Sequence, residues 1–148
     1  MAAQLLFATF MVVLTAIVHL VGLALLTRAL RSHSRVMRRM RILPLTVLLI
    51  ASIGIIGIHT AEIWMWAAIY LELQTFRNFE QALYFSTVTY ASVGYGDLLL
   101  PKQWRIFGAI EGAAGIIMLG LSTAYLVSLL TRVKLFAHDW LVPEEGGQ

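Results

Sequence analysis

The chain contains no cysteine, which excludes disulfides and thiolate metal sites and leaves no redox signature. Charge is scarce as well: Asp, Glu, Lys and Arg make up 13% of the residues, against 59% hydrophobic residues and a mean hydropathy of +0.81. A soluble domain carries about a quarter charged residues, so this balance points to a membrane protein. No internal repeat, low-complexity tract or Gly/Ser linker divides the sequence. No nucleophile converges with a base, which speaks against an enzyme.

What is present is apolar length. Leu5 to Thr27 is a run of 23 residues without formal charge, and Ile106 to Thr131 is a run of 26 interrupted only by Glu111. Ile42 to Leu73 extends over 32 residues and contains His59, Glu62 and Glu72. A helix crosses a hydrocarbon core in about 20 residues, so three spanning helices are expected, the second tilted or reaching into the interface. Pro44 reads as the start of the second, since its missing N–H costs nothing in a first turn.

Six arginines, Arg28, Arg31, Arg35, Arg38, Arg39 and Arg41, fill the connection between the first two runs. The positive-inside rule puts that connection in the cytoplasm, hence the N-terminus outside and the C-terminus inside, in a plasma or inner membrane. Their spacing of three and four also suits a voltage sensor. However, the segment lies outside every hydrophobic run and includes polar Ser32, His33 and Ser34. A basic stretch on anionic headgroups is the reading preferred here. The first run also admits reading as a signal peptide, but no basic residue precedes it and it exceeds a typical h-region. The expected organisation is an N-terminal helix (1–27), a basic loop (28–41), an outer helix (42–76), a half-helix with an extended segment (77–104), an inner helix (105–133) and a tail (134–148). That polar tail, ending in "PEEGGQ", is expected to fray, and no cytoplasmic sensor domain is expected in it. Trp64, Trp66, Tyr70 and Trp104 are expected to form an interfacial aromatic belt.

Between the second and third runs, Asn78 followed by Gln81 resembles a capping box. No glycine or proline then intervenes from Phe79 to Ala91. A helix of that length reaches about 20 Å at 1.5 Å per residue, too short to cross. It must enter the membrane and turn back. Non-helical backbone is tolerated at such depth only where protein buries it or where it lines a wet cavity.

That backbone is "SVGYGD", Ser92 to Asp97. Glycines at alternate positions permit dihedrals that turn successive carbonyls to one side. A column of oxygens with no facing N–H repels itself unless a cation lies within it. Ser92 extends the column with a hydroxyl.

These residues resemble the selectivity filter of the potassium-channel pore family, whose usual form is TVGYG. The likeness covers Ile42 to Val133 and takes in the half-helix "NFEQALYFSTVTYA", Pro101 and an inner helix with "GIIMLGLSTA". It implies an all-α integral membrane fold of three transmembrane helices, a re-entrant pore helix and a filter, assembled as a homotetramer around one pore. It implies K⁺ as the permeant ion, held by carbonyls of Ser92, Val93, Gly94 and Tyr95, and no cofactor. It further implies that Gly96, Asp97, Tyr84 and Thr89 shape or support the filter, and that Gly115 and Gly120 act as the inner-helix hinge.

The sequence departs from the family pattern at several places. Ser92 replaces threonine, which keeps the oxygen and loses the stiffening methyl, and Ala91 replaces another threonine. Tyr84 and Phe85 occupy the positions of two bracing tryptophans. Phe85 cannot hydrogen-bond to Tyr95, whereas Tyr84 can donate to Asp97. Val88 stands where some relatives carry a glutamate, so Glu111, with His59 and Glu62, is expected to meet behind the filter and support it.

Two further readings attach to the histidines. His59 and Glu62 at i, i+3 share a face and invite a metal site, but a di-iron bundle needs a second such pair and more carboxylates. His19 is expected to make a helix–helix hydrogen bond. A non-selective monovalent cation channel remains the alternative function, followed by a non-conducting scaffold whose "GYGD" is a tight turn.

Overall fold

The computed structural model describes residues 2–32 and 44–133. The positions of Arg35, Arg38, Arg39, Arg41 and the 134–148 tail lie outside these. Among the described residues there are four α-helices: α1 (Ala2–Ser32), α2 (Pro44–Glu72), α3 (Phe79–Tyr90) and α4 (Arg105–Val133), with a 3₁₀ turn over Lys102–Trp104 leading into the last. Three stretches are long and apolar enough to cross a membrane: Ala2–Ser32, Leu45–Glu72 and Lys102–Thr131. α1 continues to Ser32, five residues beyond the expected end at Thr27. The sequence 28–32 is "RALRS", and Ala, Leu and Arg are good helix formers. Charge alone does not stop a helix.

Each spanning helix buries one stripe and leaves the rest apolar and open. In α1 the buried residues are Ala8, Met11, Thr15 and His19, spaced by three and four as one helical face requires. In α2 they are Ala51, Ile55, Glu62, Trp66, Ala67 and Tyr70. Leu6, Phe10, Ile17, Ile53, Ile56 and Ile116 remain exposed, which suits lipid or a second subunit. α1 packs on α2 and α4, and α3 is wedged between α2 and α4.

α3 is short because both ends are specified. Asn78 is extended at its N-cap and its Oδ1 accepts the Gln81 amide at 2.9 Å, satisfying one of the orphan N–H groups. At the other end Ala91 stays right-handed, and Ser92 then turns left-handed with φ 57°. Its outer flank packs in an aromatic cluster in which Phe85 meets Tyr70 and Phe76 at 5.1 Å between ring centroids, the first edge-on. Phe107 joins through Trp66 at 5.0 Å.

That cluster corrects one expectation. Trp66 and Tyr70 are fully buried and do not belong to an interfacial belt. They share the α2 face of Glu62 at i+4 spacing, and both polar ends find partners inside the protein. Trp64, on another face, is the exposed one.

Candidate functional site

From Ala91 to Gly94 every amide is turned back onto the end of α3. Ala91 N donates to Thr87 O, Ser92 N to Thr89 O at 2.9 Å, and Val93 N and Gly94 N both to Val88 O at 2.9 and 3.0 Å. Among the described residues no backbone amide donates to the carbonyls of Ser92 to Tyr95. The φ values alternate in sign: Ser92, Gly94 and Gly96 are left-handed at 57°, 54° and 78°, while Val93 and Tyr95 are not. Alternation of handedness lets successive carbonyls turn to the face opposite the amides, and Ser92 to Gly96 are exposed in the single chain, so a row of oxygens there is open to a cation. Glycine adopts this conformation with little strain; Ser92 is the one non-glycine position that must do so.

The flanks are tied locally. Tyr84 Oη donates to Asp97 Oδ2 at 2.8 Å, the contact foreseen from the sequence. This bond holds the Tyr84 hydroxyl above the ordinary tyrosine range, with minor contributions from burial and the nearby charge. Ser92 Oγ lies 3.4 Å from Gly112 O. Thr89 contributes through its backbone, its carbonyl accepting the Ser92 amide and lying 3.2 Å from where a Gly112 Cβ would be.

α4 comes up against the end of α3 at Gly115. A Cβ there would overlap the carbonyl oxygen of Tyr90 and crowd its carbonyl carbon at 2.9 Å. Backbone against backbone cannot move aside cheaply, so the position demands glycine for packing, a reason the sequence did not reveal. A Cβ on Gly120 would meet nothing within 4 Å.

The acidic residues form two layers behind α3, not one. In the outer layer Glu111 is buried, with Tyr70 Oη donating to Oε2 and Ser86 Oγ to Oε1, each at 2.6 Å. Glu111 has no hydrogen bond to His59 or Glu62, which corrects the expectation that the three meet. The reason is depth: Glu111 lies about 9 Å from the N-terminal end of α4, whereas Glu62 lies about 15 Å from the C-terminal end of α2 at 1.5 Å per residue.

In the deeper layer Glu62 Oε2 accepts from Tyr90 Oη and lies 3.2 Å from His59 Nδ1. Its Oε1 is 2.9 Å from His19 Nδ1. His59 Nδ1 is also 3.1 Å from Tyr90 Oη, and His59 Nε2 is 3.0 Å from Ser122 Oγ. His19 thus makes the helix–helix contact expected of it, but into a network of all four helices. Ser122 and Tyr90 were not foreseen, because only the packing of α1, α2, α3 and α4 brings them together. Trp66 Nε1 adds a further α2–α1 bond, to Thr15 Oγ1 at 3.0 Å.

Residues 45–132 match the family described as Ion channel. No curated protein and no solved structure matches the chain. The family match begins at the start of α2, ends within the last turn of α4 and encloses the segment with alternating φ. It covers more than half of the chain, which therefore belongs to the ion-channel family and is a multi-pass membrane protein for passive ion permeation.

Proposed function

We propose that four copies of this chain form one K⁺-selective pore, with α3 as the pore helix, Ser92–Gly96 as the filter and α4 lining the inner cavity. The observation that carries this reading is the alternation of handedness at 92, 94 and 96 with all amides from 91 to 94 bound to α3. It leaves the carbonyls of Ser92, Val93, Gly94 and Tyr95 to replace the hydration shell of K⁺. Fourfold assembly is favoured by the exposure of Tyr95, 73% in the single chain, and of Val93. Such side chains at membrane depth call for a neighbouring subunit to cover them. The C-terminal end of α3 presents its negative dipole end toward the cavity, which favours a cation there.

In this assignment Gly96, Asp97, Tyr84 and Thr89 hold the filter's outer and inner ends, and Glu111, His59 and Glu62 support it from behind. Gly120 is the freer hinge candidate, while Gly115 is committed to the Tyr90 contact. Arg28 and Arg31, exposed at the end of α1, would face anionic headgroups in the cytoplasmic leaflet with Arg35, Arg38, Arg39 and Arg41. With that connection inside, the N-terminus is outside and the C-terminus cytoplasmic, in the plasma or inner membrane.

The test is K⁺ against Na⁺ flux in proteoliposomes, with Ba²⁺ block and Gly94→Ala as the control. Strong K⁺ preference lost in Gly94→Ala supports the reading. Equal passage of both ions selects a non-selective monovalent cation channel, and absence of flux from an intact assembly selects a scaffold.

A further inference from the structure

The deeper polar layer has a charge problem. Glu62 is fully buried about 15 Å from the C-terminal end of α2 at 1.5 Å per residue, and no lysine or arginine occurs in 2–27, 44–76 or 106–131. A carboxylate there needs a cation. The groups aimed at it are the Tyr90 hydroxyl, which donates to Oε2, and two imidazoles from different helices, His19 of α1 and His59 of α2, each with Nδ1 toward the carboxylate. His19 is fully buried and the His59 side chain is 12% exposed.

The outer ring nitrogens weigh against two neutral rings with no cation; one imidazolium beside a neutral ring that accepts from Ser122, or a metal, satisfies every group. Both Nε2 atoms face one hydroxyl, Ser122 Oγ, at 3.0 Å from His59 and 3.4 Å from His19. If both Nδ1–H groups donate to Glu62, two neutral rings present two acceptors to a serine that has a single proton. If both Nδ1 lone pairs bind a metal, both protons move to Nε2. Ser122 Oγ then accepts both N–H groups with its two lone pairs. That is the usual support of metal-bound histidine, whose second nitrogen donates to a fixed acceptor.

We infer that His19, His59 and Glu62 form a divalent metal site of Zn²⁺ type in each subunit, tying α1 to α2 at the base of α3. One ligand atom from each lies within 4.8 Å of the others. Glu62 Oε1 is 2.9 Å from His19 Nδ1 and Oε2 is 3.2 Å from His59 Nδ1, so a tetrahedral ion with bonds of about 2.0–2.1 Å takes one of these oxygens and draws the two rings in toward it. Tyr90 Oη, 3.1 Å from His59 Nδ1, is placed for the fourth position. Two imidazoles and a carboxylate suit Zn²⁺ over the hard cations Mg²⁺ and Ca²⁺. The objection that the His59–Glu62 pair lacks a matching second pair falls away for a mononuclear site, because α1 supplies the third ligand. A metal here is independent of which ion the pore selects.

The experiment is metal counting on the full chain, purified through chelator, dialysed against micromolar Zn²⁺ and assayed by elemental mass spectrometry, with Co²⁺ absorption as a second readout. The expected result is about one Zn²⁺ per subunit and the intense visible band of tetrahedral Co²⁺. His19→Gln and His59→Gln abolish both signals. Ser122→Ala keeps the ligands but weakens affinity roughly 10- to 100-fold, a variant that stays informative if a ligand variant does not fold. Substoichiometric Zn²⁺ on an intact assembly overturns the inference and leaves a proton as the neutralising cation. Undiminished Zn²⁺ in His19→Gln overturns it too, placing the metal on other side chains. K⁺ flux, measured separately, has no bearing on the metal count.

Discussion

The α-carbon of Gly115 on α4 lies against the backbone carbonyl of Tyr90 at the end of α3, with no space for a side chain between them. The last turn of α3, and through Val88 O and Thr89 O the amides of the 92–94 segment, are therefore positioned by a backbone contact with α4.

Gly115→Ala should destabilise the subunit by about 1–3 kcal/mol or more, as forced overpacking does. Gly120→Ala, with open space around it, should leave stability unchanged. Thermal unfolding of the two variants in detergent tests the contrast. A Gly115→Ala protein as stable as the parent would mean that α4 and α3 are not in contact there.

Tyr84→Phe removes the donor to Asp97 on an exposed surface. Global stability should not change, while K⁺ over Na⁺ preference should fall several-fold because Asp97 loses its tether. Bi-ionic reversal potentials measure this.

The same bond has a pH signature. The Tyr84 hydroxyl is held above its ordinary value of 10.0, first by its hydrogen bond to Asp97. The group whose pKa is raised stabilises the folded form below the ordinary value, and that contribution is lost as pH rises through the raised one. Selectivity should therefore persist past the ordinary tyrosine value and decline only above it, with Tyr84→Phe abolishing that alkaline step. Flux at stepped alkaline pH checks the prediction.

Tyr70→Phe leaves one oxygen of buried Glu111 without its donor, at a cost of about 1–3 kcal/mol. Ser86→Ala, which removes the other donor, should cost a similar amount. The two variants should be non-additive, since both act on one carboxylate. Glu111→Gln should change selectivity, open probability or tetramer stability. Unaltered values for all three would remove Glu111 from the filter's support.

Trp66 Nε1 and Thr15 Oγ1 give α1 a directional bond to α2. A double-mutant cycle of Trp66→Phe and Thr15→Val should return a coupling of about 0.6 kcal/mol and no more than about 1.7, the range for such bonds between membrane helices. A coupling of zero would leave α1 held by apolar contact alone.

Much of this was legible because its causes are local. Asn78 and Gln81 announced the start of α3, glycine at 94 and 96 announced a backbone with positive φ, and three apolar runs announced three helices. The bond from Tyr84 to Asp97 was legible only through the resemblance, which puts Tyr84 at a position that braces the filter. By contrast, the expected meeting of Glu111 with His59 and Glu62 failed, since residue counts along separate helices do not fix relative depth or rotation. Trp66 and Tyr70 were misassigned to an interface for the same reason: an amphipathic ring suits both a headgroup layer and a buried site with one polar partner.

By itself, then, the sequence determined what hydropathy, caps and glycine dihedrals control: helices, a half-helix too short to span, and an oxygen-rich segment after it. Only the tertiary structure decided partners. It split the buried acids into two layers, drew His19 to Glu62 and Ser122 to the two histidines, and closed Gly115 onto Tyr90, because these depend on where four separate helices cross and how each is turned at the crossing.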